Sequence, residues 1–169
     1  MRRVLHIVGV AITIAFGAAC DSPTKPMGNP NALSAQLLAI SVVPPVTDVE
    51  AMASGFANVT LQIERDSGGT IVSAAVDFQV SLSNLPSGTS LTEAHLHLGD
   101  VGALGSIVVD TGLVPGEVTA SAGGAIFTRQ AVLIPTTVAQ MLLTTPTSFY
   151  FDVHSVRNPS GIARGQLSR

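Results

Sequence analysis

"GFANVTLQIERDSGGTIVSAAVDFQVSLSNL", residues 55–85, decides the fold. Apolar residues alternate through Phe56, Val59, Leu61 and Ile63, the pattern breaks at Asp66–Gly69, and alternation resumes through Val76, Phe78, Val80 and Leu82. Successive side chains of a strand point to opposite faces, so a period of two marks a half-buried strand. Two such runs split by "DSGG" predict a β-hairpin. The same pattern extends outward. "TEAHLHL" (92–98) and "GSIVVD" (105–110) are short strands on either side of "GDVGALG", and "AIFTRQAVLI" (125–134) is another. "SFYFDVHS" (148–155) and "GIARGQLS" (161–168) close the chain, with "VRNPSG" as the turn between them. Only "TTVAQMLL", Thr136 to Leu143, has a helical pattern, with Thr136 or Thr137 as its cap and Pro146 stopping its extension. Many short strands with glycine-rich turns predict an all-β fold: a single β-sandwich, Greek-key in the manner of immunoglobulin or superoxide dismutase domains, with one short helix.

The composition, 46% hydrophobic and only 11% charged, is that of a chain that buries a core. Residues 32–169 are enough for one domain. The formal charge is −3, and no basic run interrupts the chain, which argues against nucleic acid as a partner; which protein or polysaccharide it would meet is left open.

The N-terminus has a different grammar. Arg2 and Arg3 form a positive region, Val4 to Ala19 follow without Lys, Arg, Asp or Glu, and the run closes in "FGAAC". The run is short for a membrane span and suits the core of a signal peptide, residues 1–19. Its loss takes two arginines and moves the charge from −3 to −5. Cys20, the one cysteine, stands at the cut, so no internal disulfide can form. Small residues and then a cysteine resemble the lipobox of bacterial lipoproteins, with Gly17 where leucine is usual. That resemblance implies lipidation of Cys20, a partner membrane reached through the N-terminal lipid, and an exported, envelope-anchored protein. Residues 20–31, rich in proline, glycine and small polar side chains, read as its tether.

Strand alternation places the histidines. Ala94, Leu96 and Leu98 share one face, and Glu93, His95 and His97 the other. Phe149, Phe151 and Val153 point to the core, and Tyr150, Asp152 and His154 away from it. Each strand therefore has an apolar face and a face carrying imidazole.

"EAHLHLGDVGALGSIVVD" followed by "FDVHSVRNPSGIARGQL" resembles the two signature blocks of the CHRD domain, first described in chordin and common in bacterial exported proteins. "VVPPV" (42–46) and "ASGFANVTLQI" are similar to its upstream pattern, and the resemblance runs from Leu33 to Leu167. Its most specific part is the last block, where Asn158, Pro159, Gly161, Arg164, Gly165 and Gln166 fall in register with the structural signature, together with His154 and Leu167. The chain departs from the pattern at Val42, where an acidic residue is usual, at Asp152, where asparagine is common, at Ala163, and in the loop after His97. The resemblance implies a β-sandwich and export, and supplies no reaction.

Two readings of the histidines stand side by side. If their strands are neighbours, His95, His97 and His154 form a His₃ set suited to copper or zinc, with an open fourth position. The His-x-His strand also resembles that of copper-zinc superoxide dismutase, but the chain lacks the histidines for a dinuclear centre. Alternatively, each imidazole donates one N–H to a carbonyl and braces a loop. Arg164 has the donors to do the same for "VRNPSG" or "GDVGALG", and Glu93 and Asp152 are candidate partners that fix an imidazole tautomer. No Walker loop and no Gly-x-Ser-x-Gly elbow is present. The leading expectation is a non-enzymatic binding or scaffolding module, and the alternative is a mononuclear copper or zinc protein.

Overall fold

The structure, a computed structural model, describes residues 29–169. The signal peptide expected over residues 1–19, Cys20 and most of the expected tether lie outside the described residues. Eight strands and one helix come in the order β1 (Ala32–Leu38), β2 (Ser54–Arg65), β3 (Ile71–Ser83), β4 (Leu91–Leu98), β5 (Ser106–Asp110), β6 (Gly124–Leu133), α1 (Thr136–Thr144), β7 (Phe149–Ser155) and β8 (Ala163–Ser168). All pairings are antiparallel, and the strand order is β5-β4-β7-β8-β1-β2-β3-β6. The predicted hairpin is β2–β3, the longest ladder of the sheet.

These strands form one continuous sheet, and it is curled. From β7 to β3 there are four strand spacings, about 19 Å if the sheet were flat. The rings of Phe151 on β7 and Phe78 on β3 nevertheless lie 5.6 Å apart, centroid to centroid. The inner faces of the two halves therefore meet, as the two layers of a sandwich do, and enclose a core of Leu37, Val59, Phe78, Leu96, Phe149 and Phe151. The chain is all-β with one short helix, as its alternation predicts. α1 packs on β3 through Ala139 and Leu142.

Three local expectations are corrected, and one strand is added. Phe56 is 56% exposed, because the core line of β2 runs through Ala57, Val59 and Leu61, and Phe56 has the opposite parity. Leu98, at the end of β4, is 37% exposed rather than part of the core. Pro135 occupies the N-cap of α1 with no side-chain cap, so Thr136 lies inside the helix. β1 is a strand that the sequence pattern does not announce: its inward positions Leu33, Ala35 and Leu37 alternate, but alanine and glutamine in "ALSAQLL" are weak strand formers.

The topology brings the histidine-bearing strands together. β4, β7 and β8 are adjacent, and the register sets His97 opposite Tyr150, His95 opposite Asp152, and Asp152 opposite Arg164. Every residue of β7 is buried, so its outer, polar face is covered as well as its inner one.

A candidate metal centre on the outer face of the sheet

The imidazoles of the two signature blocks converge. His95, His97 and His154 are joined by Asp152, and one ligand atom from each lies within 4.8 Å of all the others. His154 Nε2 is 3.1 Å from Asp152 Oδ1 and 3.3 Å from His95 Nδ1. His97 Nε2 is 3.2 Å from the same carboxylate oxygen, and His95 Nδ1 is 3.9 Å from it. All four residues are buried. Glu93, on the same strand face, is exposed and takes no part beyond its charge.

Backbone carbonyls fix two of the rings. His154 Nδ1 donates to Pro159 O at 2.9 Å, and His97 Nδ1 donates to Gly105 O at 3.0 Å. A carbonyl only accepts, so each Nδ1 carries the proton, and in the neutral rings the Nε2 lone pairs point into the cluster. They face a carboxylate, another acceptor. His97 Nε2 is buried and makes no well-aligned hydrogen bond, although the Asp152 oxygen is only 3.2 Å away. Such a convergence of acceptors calls for a proton or a metal ion between them.

The protonation energetics obey the same logic. Burial alone raises the Asp152 carboxyl, but the hydrogen bond from His154 and the close polar contact and charge of His97 overcome it and bring the pKa from 3.8 down to about 2. Burial pulls His154 down, and the hydrogen bond and charge of Asp152 outweigh it, so its pKa is raised. For His95, burial and the neighbouring His154 lower the pKa. Asp152 is thus an anion at neutral pH, and His95 is a neutral donor atom.

Two loops hold the carbonyls in place. The loop 99–105 is pinned by Arg164, whose Nη2 donates to Ala103 O at 2.7 Å and Asp100 O at 3.1 Å. Gln166 Nε2 donates to Gly99 O at 2.7 Å, and Gly105 N donates to the Tyr150 hydroxyl at 3.1 Å. The Arg164 guanidinium lies 3.5 Å over the Tyr150 ring, which stacks in turn on His97 at 4.6 Å and 6°. Gly105 must be glycine, since a Cβ there would stand 1.9 Å from Leu98 O. A bulge in β5 opposite His97, where Val108 is skipped in the register, completes the local geometry.

The turn 156–161 is pinned from a residue that sequence reasoning missed. Glu50 is 2% exposed and accepts from Thr89 Oγ1, Ser155 Oγ and Asn158 Nδ2 at 3.1, 2.7 and 2.7 Å. It thereby ties the loop before β2 to the turn that presents Pro159 O to His154. Its segment has no periodicity, and the only signal is a carboxylate near the "VVPPV" stretch.

Of the two loops open to Arg164, the structure selects "GDVGALG". Arg164→Ala is expected to lower stability by about 1.5–3 kcal/mol, the usual loss for a buried charged donor. Thermal melting checks the size, and faster proteolysis within 99–105 checks the location.

An all-β domain with a buried three-histidine, one-aspartate cluster on its covered outer face is the class that fold and site define. Comparison with known families matches residues 33–167 to the CHRD domain. That span is most of the chain, and the chain belongs to the CHRD domain family. No curated protein matches it.

Proposed function

We propose that this chain is an exported, envelope-anchored metal-binding module that holds one zinc ion through His95 Nδ1, His97 Nε2, His154 Nε2 and Asp152 Oδ1. The observation that carries the proposal is His97 Nε2, buried, unpartnered and aimed at three other ligand atoms. The spacing supports the choice of metal. Tetrahedral zinc with bonds of about 2.0–2.1 Å has ligand atoms about 3.3 Å apart; four of the six pairs in the cluster are at 3.1, 3.2, 3.3 and 3.9 Å, and all six lie within 4.8 Å. Neutral imidazoles with a carboxylate suit zinc, and copper(II) favours a flatter arrangement. The ring-to-carbonyl bonds are the outer partners that fix the tautomer of a ligating histidine.

Four protein ligands close the coordination sphere, which is the pattern of a structural or storage site rather than a catalytic one. The proposal is therefore non-catalytic: a binding or scaffolding module for a protein or polysaccharide, steadied by its ion. Anchoring rests on Cys20 and the tether, read from sequence.

A second reading, a hydrogen-bonded cluster with no metal, is favoured by the two ring-to-carbonyl bonds and by the raised pKa of His154. In it a proton on His154 Nε2 takes the place of the ion. Metal analysis of the protein purified from the envelope of an exporting bacterium separates the two. One zinc per chain supports the proposal, and a metal-free chain with intact fold supports the second reading. Cys20→Ser is expected to move the domain from the membrane to the soluble fraction; retention in the membrane would overturn the anchor.

A further inference from the structure

Arg164 has a second aspect. It is only 4% exposed, yet no carboxylate among the described residues lies within 4.0 Å of its guanidinium. Nη2 serves the two loop carbonyls, and one face of the guanidinium serves Tyr150. Nη1 and Nε have no acceptor among the described residues. They are also not sealed in, because His97 Nε2 is the one buried, unpartnered side-chain atom among the described residues. Arg164 lines, with Gly165 and Gln166, a groove of about 430 Å³.

The groove has apolar walls. Ile40, Val42 and Val43 line it from the segment after β1 and Val101 from the loop after β4, with Ile40 70% and Val101 83% exposed. A buried charge is costly unless it is paired. A guanidinium with two N–H groups to spare matches a carboxylate in a two-point contact. A single positive charge with aliphatic walls beside it matches a monoanion with an aliphatic body, and a dianion would be under-compensated in a chain of net negative charge.

We propose that this groove binds a small amphipathic carboxylate, an aliphatic acid whose head pairs with Arg164 and whose chain lies against Ile40–Val43 and Val101. The site is separate from the histidine cluster, with the Tyr150 ring between them, and it does not rest on the zinc reading.

The probe is decanoate, titrated below its micellar concentration into the domain and followed by calorimetry and by the Arg164 Nε–H resonance. The expected result is saturable one-site binding with Kd on the order of tens of micromolar, a shift of that resonance, and no comparable binding of decanol. Val101→Glu places a like charge at the rim and is expected to weaken binding at least about tenfold without changing the melting temperature. Ile40→Glu, on the other lining segment, repeats the test should the first variant fold poorly. The proposal is overturned if the Arg164 resonance stays fixed at about 1 mM decanoate, if decanol binds as tightly as decanoate, or if both glutamate variants bind like the parent.

Discussion

Gly165→Ala is expected to stop the sheet from closing. Gly165 lies on β8, between β7 and β1, at the centre of the ladder that joins the two halves of the curled sheet. A Cβ built there would stand 2.0 Å from the carbonyl oxygen of Gln36 and 2.7 Å from its carbonyl carbon. Both atoms are backbone of β1, so no rotamer change relieves the overlap, and the two strands must part. The strands on either side carry Phe151 and Leu37, so their separation opens the core as well as the ladder. A loss of more than about 4 kcal/mol is expected, a large share of the 5–15 kcal/mol that a domain has. Insoluble expression or a melting temperature lower by more than about 10 °C is the predicted outcome. A variant that melts within about 2 °C of the parent would show that β8 does not sit against β1 as described.

The second large effect concerns the cluster. His97→Ala and His154→Ala are each expected to lower zinc affinity by more than about 100-fold, since even the partners behind a ligand are worth 10–100-fold. Asp152→Asn is expected to weaken binding too, because it removes the one negative charge among the four ligands. Glu93→Gln is the control: the residue sits on the same strand face but is exposed and outside the cluster, so its affinity should match the parent within about threefold. Competition with a chromophoric chelator measures all four. Histidine variants that bind zinc as tightly as the parent would place the zinc elsewhere on the chain.

The features legible in the sequence are those governed by a period of two. β2, β3, β7 and the two faces of β4 come from alternation, because one face of each is apolar and nothing local competes with it. Alternation also puts His95, His97, Asp152 and His154 on the non-core faces of β4 and β7. It does not say that these strands are neighbours; that depends on the order β4-β7-β8, a long-range pairing that no local pattern encodes. The sequence marks Asp152 as a partner of an imidazole and not as a fourth ligand, for the same reason: its oxygen meets three rings only through cross-strand register. Glu50 is invisible. An isolated carboxylate in an aperiodic segment looks like surface, and only the turn it braces shows why it is buried. Phe56 errs in the other direction, as a large aromatic that belongs to the wrong parity and stays outside.

The most direct test of the metal centre is a zinc titration of the metal-free domain at neutral pH, followed through the histidine ring resonances. The cluster predicts saturation at one ion per chain with submicromolar Kd. It also predicts zinc-induced shifts at Nε2 of His97 and His154 and at Nδ1 of His95, while the Nδ1 protons of His97 and His154 stay in place on Gly105 and Pro159. Ring resonances unmoved by zinc, or bound zinc with those two Nδ1 protons displaced, would contradict it.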